Sequence, residues 1–264
     1  MRELAEKYRV VHQQGFVPIF VSDRFDAVQL AEAGVAAGAK AIEVTCRRQT
    51  VCQDIRRIRA AFPDLLVLVG SIVDDGPMLR FLQRRRGDMP GIGQLCDLGV
   101  DGFVSAMPLS LETIAKLSRT HLVVPGVETV GEAVQAVQAG AHFAKLWTII
   151  PLGEHRRVEL ATCAAMHGLL PIFATGGITR DKIEAYVVAR AATIGTGWGV
   201  MLGDRYESMQ DHPSTVELAA LLRGYLETMG QARSKHCHLP NAGSTREYLA
   251  ALPHYHPFDE KAGM

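Results

Sequence analysis

The chain has 264 residues, is 48% hydrophobic and carries 28 basic and 28 acidic residues, so its formal net charge is zero. The hydrophobic content supports a folded core, and the balanced charge argues against nucleic-acid binding and against binding at a membrane surface. Five cysteines without a Cys-x-x-Cys pair favour reduced thiols in a cytoplasmic protein. The N-terminal residues lack the apolar run of a signal peptide, and no stretch of about 18 apolar residues predicts a membrane span.

Short β-rich runs alternate with amphipathic, helix-compatible segments along most of the chain. Alternation of this kind predicts a parallel sheet, and eight such units favour a (β/α)8 TIM barrel. A doubly wound open sheet is the alternative fold, although no Gly-x-Gly-x-x-Gly turn follows the first run. The eight runs cover residues 16–21, 41–46, 65–70, 102–107, 121–126, 142–147, 170–175 and 192–197.

Two segments depart from this repeat. Residues 84–98 contain glycine and proline and predict a surface loop between the third and fourth strands. Residues 214–230 predict one amphipathic helix, with Ser214 and Glu217 at capping-box spacing. The chain therefore divides into a barrel with an N-terminal helix over residues 1–203 and a C-terminal helical extension and tail, packed on the barrel, over residues 204–264.

The C-terminal tail is rich in histidine. His236, Cys237, His238, His254 and His256 could suggest a metal site. Adjacent His-x-His spacing on a loop is weak evidence for a ligand set, however, and a partly ordered polar tail is the better interpretation. No metal is predicted.

Lys145 lies in the otherwise apolar run 141–150, bounded by Gly140 and Pro151. A run of this kind predicts a buried strand, and lysine is seldom fully buried unless something compensates its charge. Lys145 is therefore either a strand-end residue that reaches solvent or a lysine kept for chemistry.

Other polar residues lie at predicted strand ends, where the catalytic groups of TIM barrels are found. Alternation in the second strand puts Glu43, Thr45 and Arg47 on one face, and the third strand ends at Ser71. If that face points into the barrel, a carboxylate, a hydroxyl and a guanidinium converge on one pocket. An ion-paired exposed face is the alternative interpretation.

A lysine inside an apolar barrel can act as a nucleophile. Burial and a nearby cation such as Arg47 lower the pKa of Lys145, and the free amine then forms a Schiff base with a ketone. The resulting iminium accepts the electrons released when a carbon–carbon bond breaks. Glu43 is the candidate proton shuttle, and Arg47 can bind the carboxylate of a 2-oxo acid. This chemistry needs no cofactor.

Three stretches resemble the family of 2-dehydro-3-deoxy-6-phosphogluconate (KDPG) and 4-hydroxy-2-oxoglutarate (KHG) aldolases. They contain the motifs E-V-T-x-R (43–47), P-G-V-x-T (125–129), K-L-W (145–147) and T-G-G-I (175–178). The resemblance extends from about residue 16 to 202. It implies a class I aldolase on a (β/α)8 barrel, typically homotrimeric and independent of metal.

The resemblance also implies individual roles. Lys145 becomes the Schiff-base lysine and Glu43 the general acid and base, while Arg47 and Ser71 bind the carboxylate region of pyruvate. The aromatic residue of the K-L-W motif, Trp147, is a further candidate substrate contact. Backbone amides at glycines correspond to the group that holds a substrate phosphate; these are Gly176, Gly177 and Gly197.

One departure concerns this phosphate region. Trp198 stands where the family usually has serine, so a bulky ring replaces a hydroxyl beside the glycines. We therefore expect Trp198 to crowd the site and the acceptor aldehyde to be non-phosphorylated or otherwise atypical.

The sequence thus predicts a lyase that cleaves a 2-oxo-4-hydroxy acid reversibly to pyruvate and an aldehyde. Two alternatives stay open. One is a non-catalytic 2-oxo-acid-binding or assembly protein on an aldolase barrel, and the other is a decarboxylase or dehydratase that uses the same lysine.

Overall fold

A computed structural model of the chain describes residues 2–147, 155–208 and 213–258. Parallel strands form its centre, and Pro125 separates two of them that are halves of one barrel strand, β5 and β6. The strands are β1 (Phe16–Phe20), β2 (Ala41–Thr45), β3 (Leu66–Gly70), β4 (Gly102–Val104), β5 (Leu122–Val124), β6 (Gly126–Val127), β7 (Ala144–Trp147), β8 (Ile172–Thr175) and β9 (Thr193–Gly197).

The sheet closes into a ring. Its strand order is β5-β4-β3-β2-β1-β9-β8-β7-β6, all neighbours being parallel, and the two outer members are the halves of the same strand. The N–H of Lys145 donates to the carbonyl of Pro125 at 2.8 Å, and the N–H of His142 donates to that of Val123 at 2.9 Å. The described strands therefore fill eight barrel positions, and the predicted (β/α)8 TIM barrel is confirmed.

Alternation along the strands separates two apolar layers. Every second side chain points into the barrel, as Leu66 and Leu68 do on β3, whereas Val67 and Val69 pack outward against the helices. Other inward residues include Val17 on β1, Phe173 on β8 and Phe143, which directly precedes β7. On β2 and β7 the inward positions near the strand ends are polar or charged, which places the polar groups at the carboxyl end of the barrel.

Helices surround the ring and flank its ends. The predicted capping box at the start of α12 is confirmed. The Ser214 side chain accepts a hydrogen bond from the Glu217 N–H, and the Glu217 side chain accepts one from the Ser214 N–H. The helices are α1 (Leu4–Gln14), α2 (Ala27–Ala37), α3 (Val51–Ala61), α4 (Pro77–Arg85), α5 (Ile92–Asp97), α6 (Leu111–Leu117), α7 (Val130–Gln138), α8 (Arg156–Thr162), α9 (Ile183–Val188), α10 (Trp198–Leu202), α11 (Asp204–Ser208), α12 (Thr215–His236) and α13 (Thr245–Ala250).

The segment 84–98 is not the plain surface loop that its glycines and proline predict. Residues Ile92–Asp97 form helix α5, and Met89, Ile92 and Leu95 are buried in the outer apolar layer. Apolar residues at Ile92 and Leu95 have the i, i+3 spacing of one helix face, and burying that face outweighs the poor helix propensity of Gly93.

The amino end of the barrel is closed by the two ends of the described chain. Tyr8 and Val11 of α1 and Tyr248 of α13 are fully or almost fully buried in the inward apolar layer. The Tyr8 hydroxyl bonds to Nε2 of His254 at 2.9 Å, and Nδ1 of His12 bonds to the Tyr248 hydroxyl at 2.6 Å. The tail thus packs at the end opposite the carboxyl ends of the strands.

Helix α12 packs against α2 and α9 and touches β1, which is the position of the eighth barrel helix. The division of the chain at residue 203 stays a prediction, and residues 209–212 and 259–264 of the proposed extension lie outside the described ranges. None of the helices in those ranges is long and apolar enough to cross a membrane. Within the same ranges no three His, Cys, Asp or Glu side chains are grouped to hold a metal ion.

Candidate active site

A cavity of about 370 Å³ opens at the carboxyl ends of the strands. Most of the residues that the sequence singles out line it, together with several that it does not. The described lining residues are Ile19, Val21, Glu43, Arg47, Ser71, Lys145, Trp147, Thr175, Gly176, Gly177, Gly195, Gly197, Gly199, Val200, Gly203 and Tyr206.

Lys145 and Glu43 meet at the centre of this cavity. They lie on β7 and β2, which three barrel strands separate in either direction around the ring, so their inward side chains approach across the barrel. Nζ of Lys145 is 3.7 Å from Oε1 of Glu43. The side chains are only 4% and 1% exposed, so the pair is shielded from bulk water.

The path of the Glu43 side chain depends on a glycine of the neighbouring strand. Gly70 occupies an inward position of β3, and a Cβ there would lie 1.9 Å from Oε1 of Glu43. Oε2 of Glu43 is buried and has no hydrogen-bond partner among the described residues. The carboxylate is therefore held over the barrel centre with one oxygen left to accept a proton or a hydrogen bond.

Burial lowers the pKa of Lys145 from its ordinary value, and the positive charge of Arg47 lowers it further. The Glu43 carboxylate acts in the opposite direction, by its charge and by a hydrogen bond. The balance favours the uncharged amine more than it would for a lysine in water, and an uncharged amine is the nucleophilic form.

The carboxyl ends of β2 and β3 supply two polar groups at one side of the cavity. Arg47 follows β2, with an exposed side chain that reaches the cavity mouth. Ser71 follows β3 and has a φ of 55°, a left-handed conformation that is costly for a residue other than glycine. A strained residue at a cavity is a common feature of ligand sites.

The loop that carries Arg47 is held by two other arginines. The Arg48 guanidinium is buried, donates to Asp54 at 2.8 Å and also donates to the Ser22 carbonyl. Arg86, from the segment 84–98, donates to the carbonyls of Cys46 at 3.1 Å and Arg48 at 3.5 Å. Segment 84–98 thus contacts the backbone on both sides of Arg47.

Glycines form the opposite side of the cavity. Gly176 and Gly177 follow β8 with φ values of 114° and 66°, and Gly197 ends β9. Backbone of this kind approaches a ligand closely and can direct N–H groups at it. Trp147, at the end of β7, lines the wall between the two sides, with its ring centroid 5.8 Å from Nζ of Lys145.

Two of the sequence-predicted residues do not line the cavity. The Thr45 side chain is fully buried, and its hydroxyl donates to the Phe20 carbonyl at 2.9 Å, which ties β2 to β1. Trp198 is 2% exposed and packs in the outer apolar layer, so its ring does not crowd the glycines. Alternation along a strand predicts the face on which a side chain lies. It does not predict whether a side chain at the strand end bonds to the neighbouring strand instead of facing the cavity.

Tyr206 of α11 was not expected at this site. It lines the cavity beside the glycines, and its hydroxyl bonds to that of Ser22 at 2.5 Å. The sequence offers one signal for it, an aromatic residue nine positions after the end of the last strand. That signal does not show that the residue returns to the cavity.

Fold and site together define a (β/α)8 barrel with a buried lysine–carboxylate pair at the carboxyl ends of its strands. No family model matches the sequence. A 2-dehydro-3-deoxy-phosphogluconate aldolase of Dickeya dadantii is 24% identical over 196 residues, which are 73% of this chain and 83% of the relative.

Solved structures with the same fold include KDPG aldolases. That of Zymomonas mobilis ZM4, with 3-phosphoglycerate, has a TM-score of 0.63 and 20% identity over 85% of this chain and 95% of its own. That of Legionella pneumophila, with pyruvate captured as a covalent carbinolamine, has a TM-score of 0.59 and 18% identity over 87% and 98%. The predicted resemblance to the KDPG and KHG aldolase family is thereby confirmed.

Proposed function

We propose that the protein is a class I aldolase that cleaves a 2-oxo-4-hydroxy acid reversibly to pyruvate and an aldehyde. One observation carries the proposal: Nζ of Lys145 lies 3.7 Å from the Glu43 carboxylate at the centre of the cavity, and both side chains are almost fully buried. The likeness to aldolases, one of them crystallised with pyruvate as a carbinolamine, supports it.

The first step joins the substrate to Lys145. The amine attacks the C2 ketone, and the carbinolamine formed loses one water to become an iminium. Glu43 takes one proton from the Lys145 nitrogen and donates it to the departing hydroxyl, so Glu43 ends this step as a carboxylate. Arg47 binds the substrate carboxylate and Ser71 lies beside it, which orients C2 toward Nζ.

The second step breaks the bond between C3 and C4. Glu43, again a carboxylate, takes the proton of the C4 hydroxyl, the aldehyde leaves, and the bonding electrons enter the iminium to give an enamine. Glu43 returns the proton to C3, and one water hydrolyses the pyruvyl iminium to release pyruvate and free Lys145. The water lost in the first step is thus restored, and no oxidant or reductant is consumed.

Exchange of the methyl protons of pyruvate tests this proposal without knowledge of the aldehyde. In heavy water, the enamine formed from pyruvate and Lys145 takes up deuterium, so the methyl signal in proton NMR should decay. Lys145→Met should abolish the decay, and Glu43→Gln should slow it by about 10²-fold or more. Lys116→Met, which removes an exposed lysine on α6, is the matched control and should exchange at the wild-type rate.

Wild-type protein that binds pyruvate without exchange would overturn the proposal and favour a 2-oxo-acid-binding protein. Exchange without aldol addition to any of a panel of aldehydes would favour a decarboxylase or dehydratase. Exchange by Lys145→Met at the wild-type rate would assign the chemistry to another group.

The quaternary state is part of the same proposal. Related aldolases suggest a homo-oligomer, and we propose the homotrimer that the sequence resemblance implies. Exposed apolar side chains on α4, Met78 and Phe81, are available for contact between copies. Light scattering should give three times the chain mass of 28.8 kDa, and a monomer mass would contradict it.

A further inference from the structure

A second cavity, of about 480 Å³, lies at the amino end of the barrel, opposite the candidate active site. Residues of α1, of the loop between α8 and β8, of α9 and α12 and of the C-terminal tail line it. In the described ranges the lining holds no aspartate or glutamate, but it holds the basic residues His12, His167, Arg190, Arg233, His236, His238 and His254. A cleft lined by one sign of charge concentrates ions of the other sign, so this cavity attracts anions.

Arg233 brings a buried positive charge to the cavity. It is 5% exposed, and its guanidinium donates to the carbonyls of His12 at 2.6 Å, Gln13 at 3.2 Å and Ala192 at 2.6 Å. Two of these carbonyls belong to the last turn of α1, whose end carries a partial negative charge that compensates part of the guanidinium charge. No carboxylate of the described residues contributes to the compensation. Arginine has five N–H donors, so at least two remain for a ligand.

Arg190 adds a second guanidinium from the end of α9. Its Nη1 lies 3.4 Å from the point that a Cβ on Gly168 would occupy, which places the guanidinium against another lining residue. The Arg190 side chain is exposed and forms no hydrogen bond or ion pair with the described residues. It is therefore available to pair with an anion without first breaking a contact within the protein.

The histidines add hydrogen-bond donors to these two charges. His12 and His254 each use one ring nitrogen on a tyrosine hydroxyl. His236 bonds through Nε2 to the Glu184 carboxylate at 2.7 Å, and Glu184 lies outside the lining and also bonds to Lys235. His238 is exposed at the cavity. Since no three described His, Cys, Asp or Glu side chains are grouped to hold a metal ion, the arrangement suits an anion rather than a cation.

We propose that this cavity binds a small polyanion, a molecule with two or more phosphate or carboxylate groups. One anionic group pairs with Arg233 in the interior, and another pairs with Arg190 and His238 nearer the surface. Guanidinium groups match phosphate and carboxylate oxygens in geometry as well as charge. The volume is in the range of small-molecule sites and exceeds what a single phosphate fills. The inference goes beyond the aldolase function and does not depend on it.

Calorimetric titration with pyrophosphate and with citrate tests the proposal, with sodium chloride at equal ionic strength as the blank. Wild-type protein should bind at least one of the two at one site per chain, and the anion that binds more tightly distinguishes phosphate from carboxylate ligands. Arg190→Gln should raise the Kd by about tenfold, because a charge-assisted hydrogen bond is lost. Arg246→Gln, an exposed arginine on α13 outside the lining, is the matched control and should bind like the wild type.

Protection from phenylglyoxal, which modifies exposed arginines, locates the bound anion. Peptide mass spectrometry should show that the anion slows modification of Arg190 but not of Arg246. Arg47→Gln, in the candidate active site, should keep the wild-type Kd, and Arg190→Gln should exchange pyruvate protons at the wild-type rate.

Three results would overturn the inference. The first is that neither pyrophosphate nor citrate binds. The second is that Arg190→Gln and wild type have equal Kd values. The third is that Arg47→Gln, and not Arg190→Gln, weakens binding, which would place the anion in the candidate active site. None of these results bears on the proposed aldolase, whose test is pyruvate proton exchange.

Discussion

The Glu43 carboxylate lies in the space that a side chain at Gly70 would fill. A Cβ on Gly70 would be 1.9 Å from Oε1 and 2.7 Å from the carboxyl carbon of Glu43. The two residues are on adjacent strands, β2 and β3, and the missing side chain lets Glu43 cross to Lys145. One glycine thus determines the distance between the two groups proposed to carry the chemistry.

Gly70→Ala should displace the Glu43 carboxylate and slow pyruvate proton exchange by about 10²-fold, since a misplacement of about 1 Å can cost that much. Circular dichroism should show a folded barrel. Gly93→Ala is the matched control, because a Cβ at this α5 position meets nothing within 4 Å. Unchanged exchange in Gly70→Ala would show that the position of Glu43 is not critical.

The pKa of Lys145 should change when the charged residues around it are replaced. Its pKa is lowered by burial and by Arg47 and raised by Glu43, so competitive acetylation of Lys145 should be half-maximal at a pH below the ordinary lysine value. Arg47→Gln should move this midpoint up and Glu43→Gln should move it down. Mass spectrometry of the labelled peptide gives the midpoint. A midpoint that moves down in Arg47→Gln, or up in Glu43→Gln, would contradict the electrostatic account.

Two histidines at the amino end of the barrel, the buried His12 and the half-buried His254, should make stability depend on pH. Burial, with the charges of His256 and Arg233, lowers the pKa of His254 to about 4, and burial lowers that of His12 well below its ordinary value. The unfolded chain takes up protons near pH 6.5, so the stability present above that pH is lost as the pH falls toward 4.

His254 contributes at most about 3 kcal/mol to this loss, because one pKa unit corresponds to about 1.4 kcal/mol. Urea unfolding at pH 7.5, 6 and 5 measures it. His254→Gln should flatten the pH dependence, whereas His155→Gln, on an exposed side chain, should not. Equal slopes for His254→Gln and wild type would contradict the role of this residue.

Arg86 should act on pyruvate binding through the loop of Arg47. Removing its hydrogen bonds to Cys46 and Arg48 in Arg86→Met costs about 1 kcal/mol, which corresponds to a rise of about fivefold in the Kd of pyruvate. The exchange rate at saturating pyruvate should change less than the Kd. Arg84→Met, an exposed neighbour on α4, should bind pyruvate like the wild type; equal Kd values for all three proteins would contradict a positioning role.

Alternating apolar runs predicted all eight barrel strands to within two or three residues, because each strand needs one face for the interior and one for the helices. Placement of Lys145 and Glu43 in one barrel followed from the same alternation. Their distance did not, because it depends on closure of the ring and on Gly70.

Contacts between distant parts of the chain escaped prediction for the same reason. Tyr206 reaches the cavity through the packing of α11, Trp198 turns into the outer apolar layer, and Thr45 bonds to β1. Periodicity predicts the face of the strand or helix on which a residue lies. It does not report the direction of a strand-end side chain or the place where a later helix returns to the barrel.

Reduction of the protein by borohydride in the presence of pyruvate tests the central claim most directly, because it traps an imine on the lysine that forms it. Peptide mass spectrometry should find the reduced pyruvyl adduct on Lys145, and the adduct should be absent from Lys145→Met. An unmodified Lys145, or an adduct confined to other lysines, would contradict the assignment of Lys145 as the nucleophile.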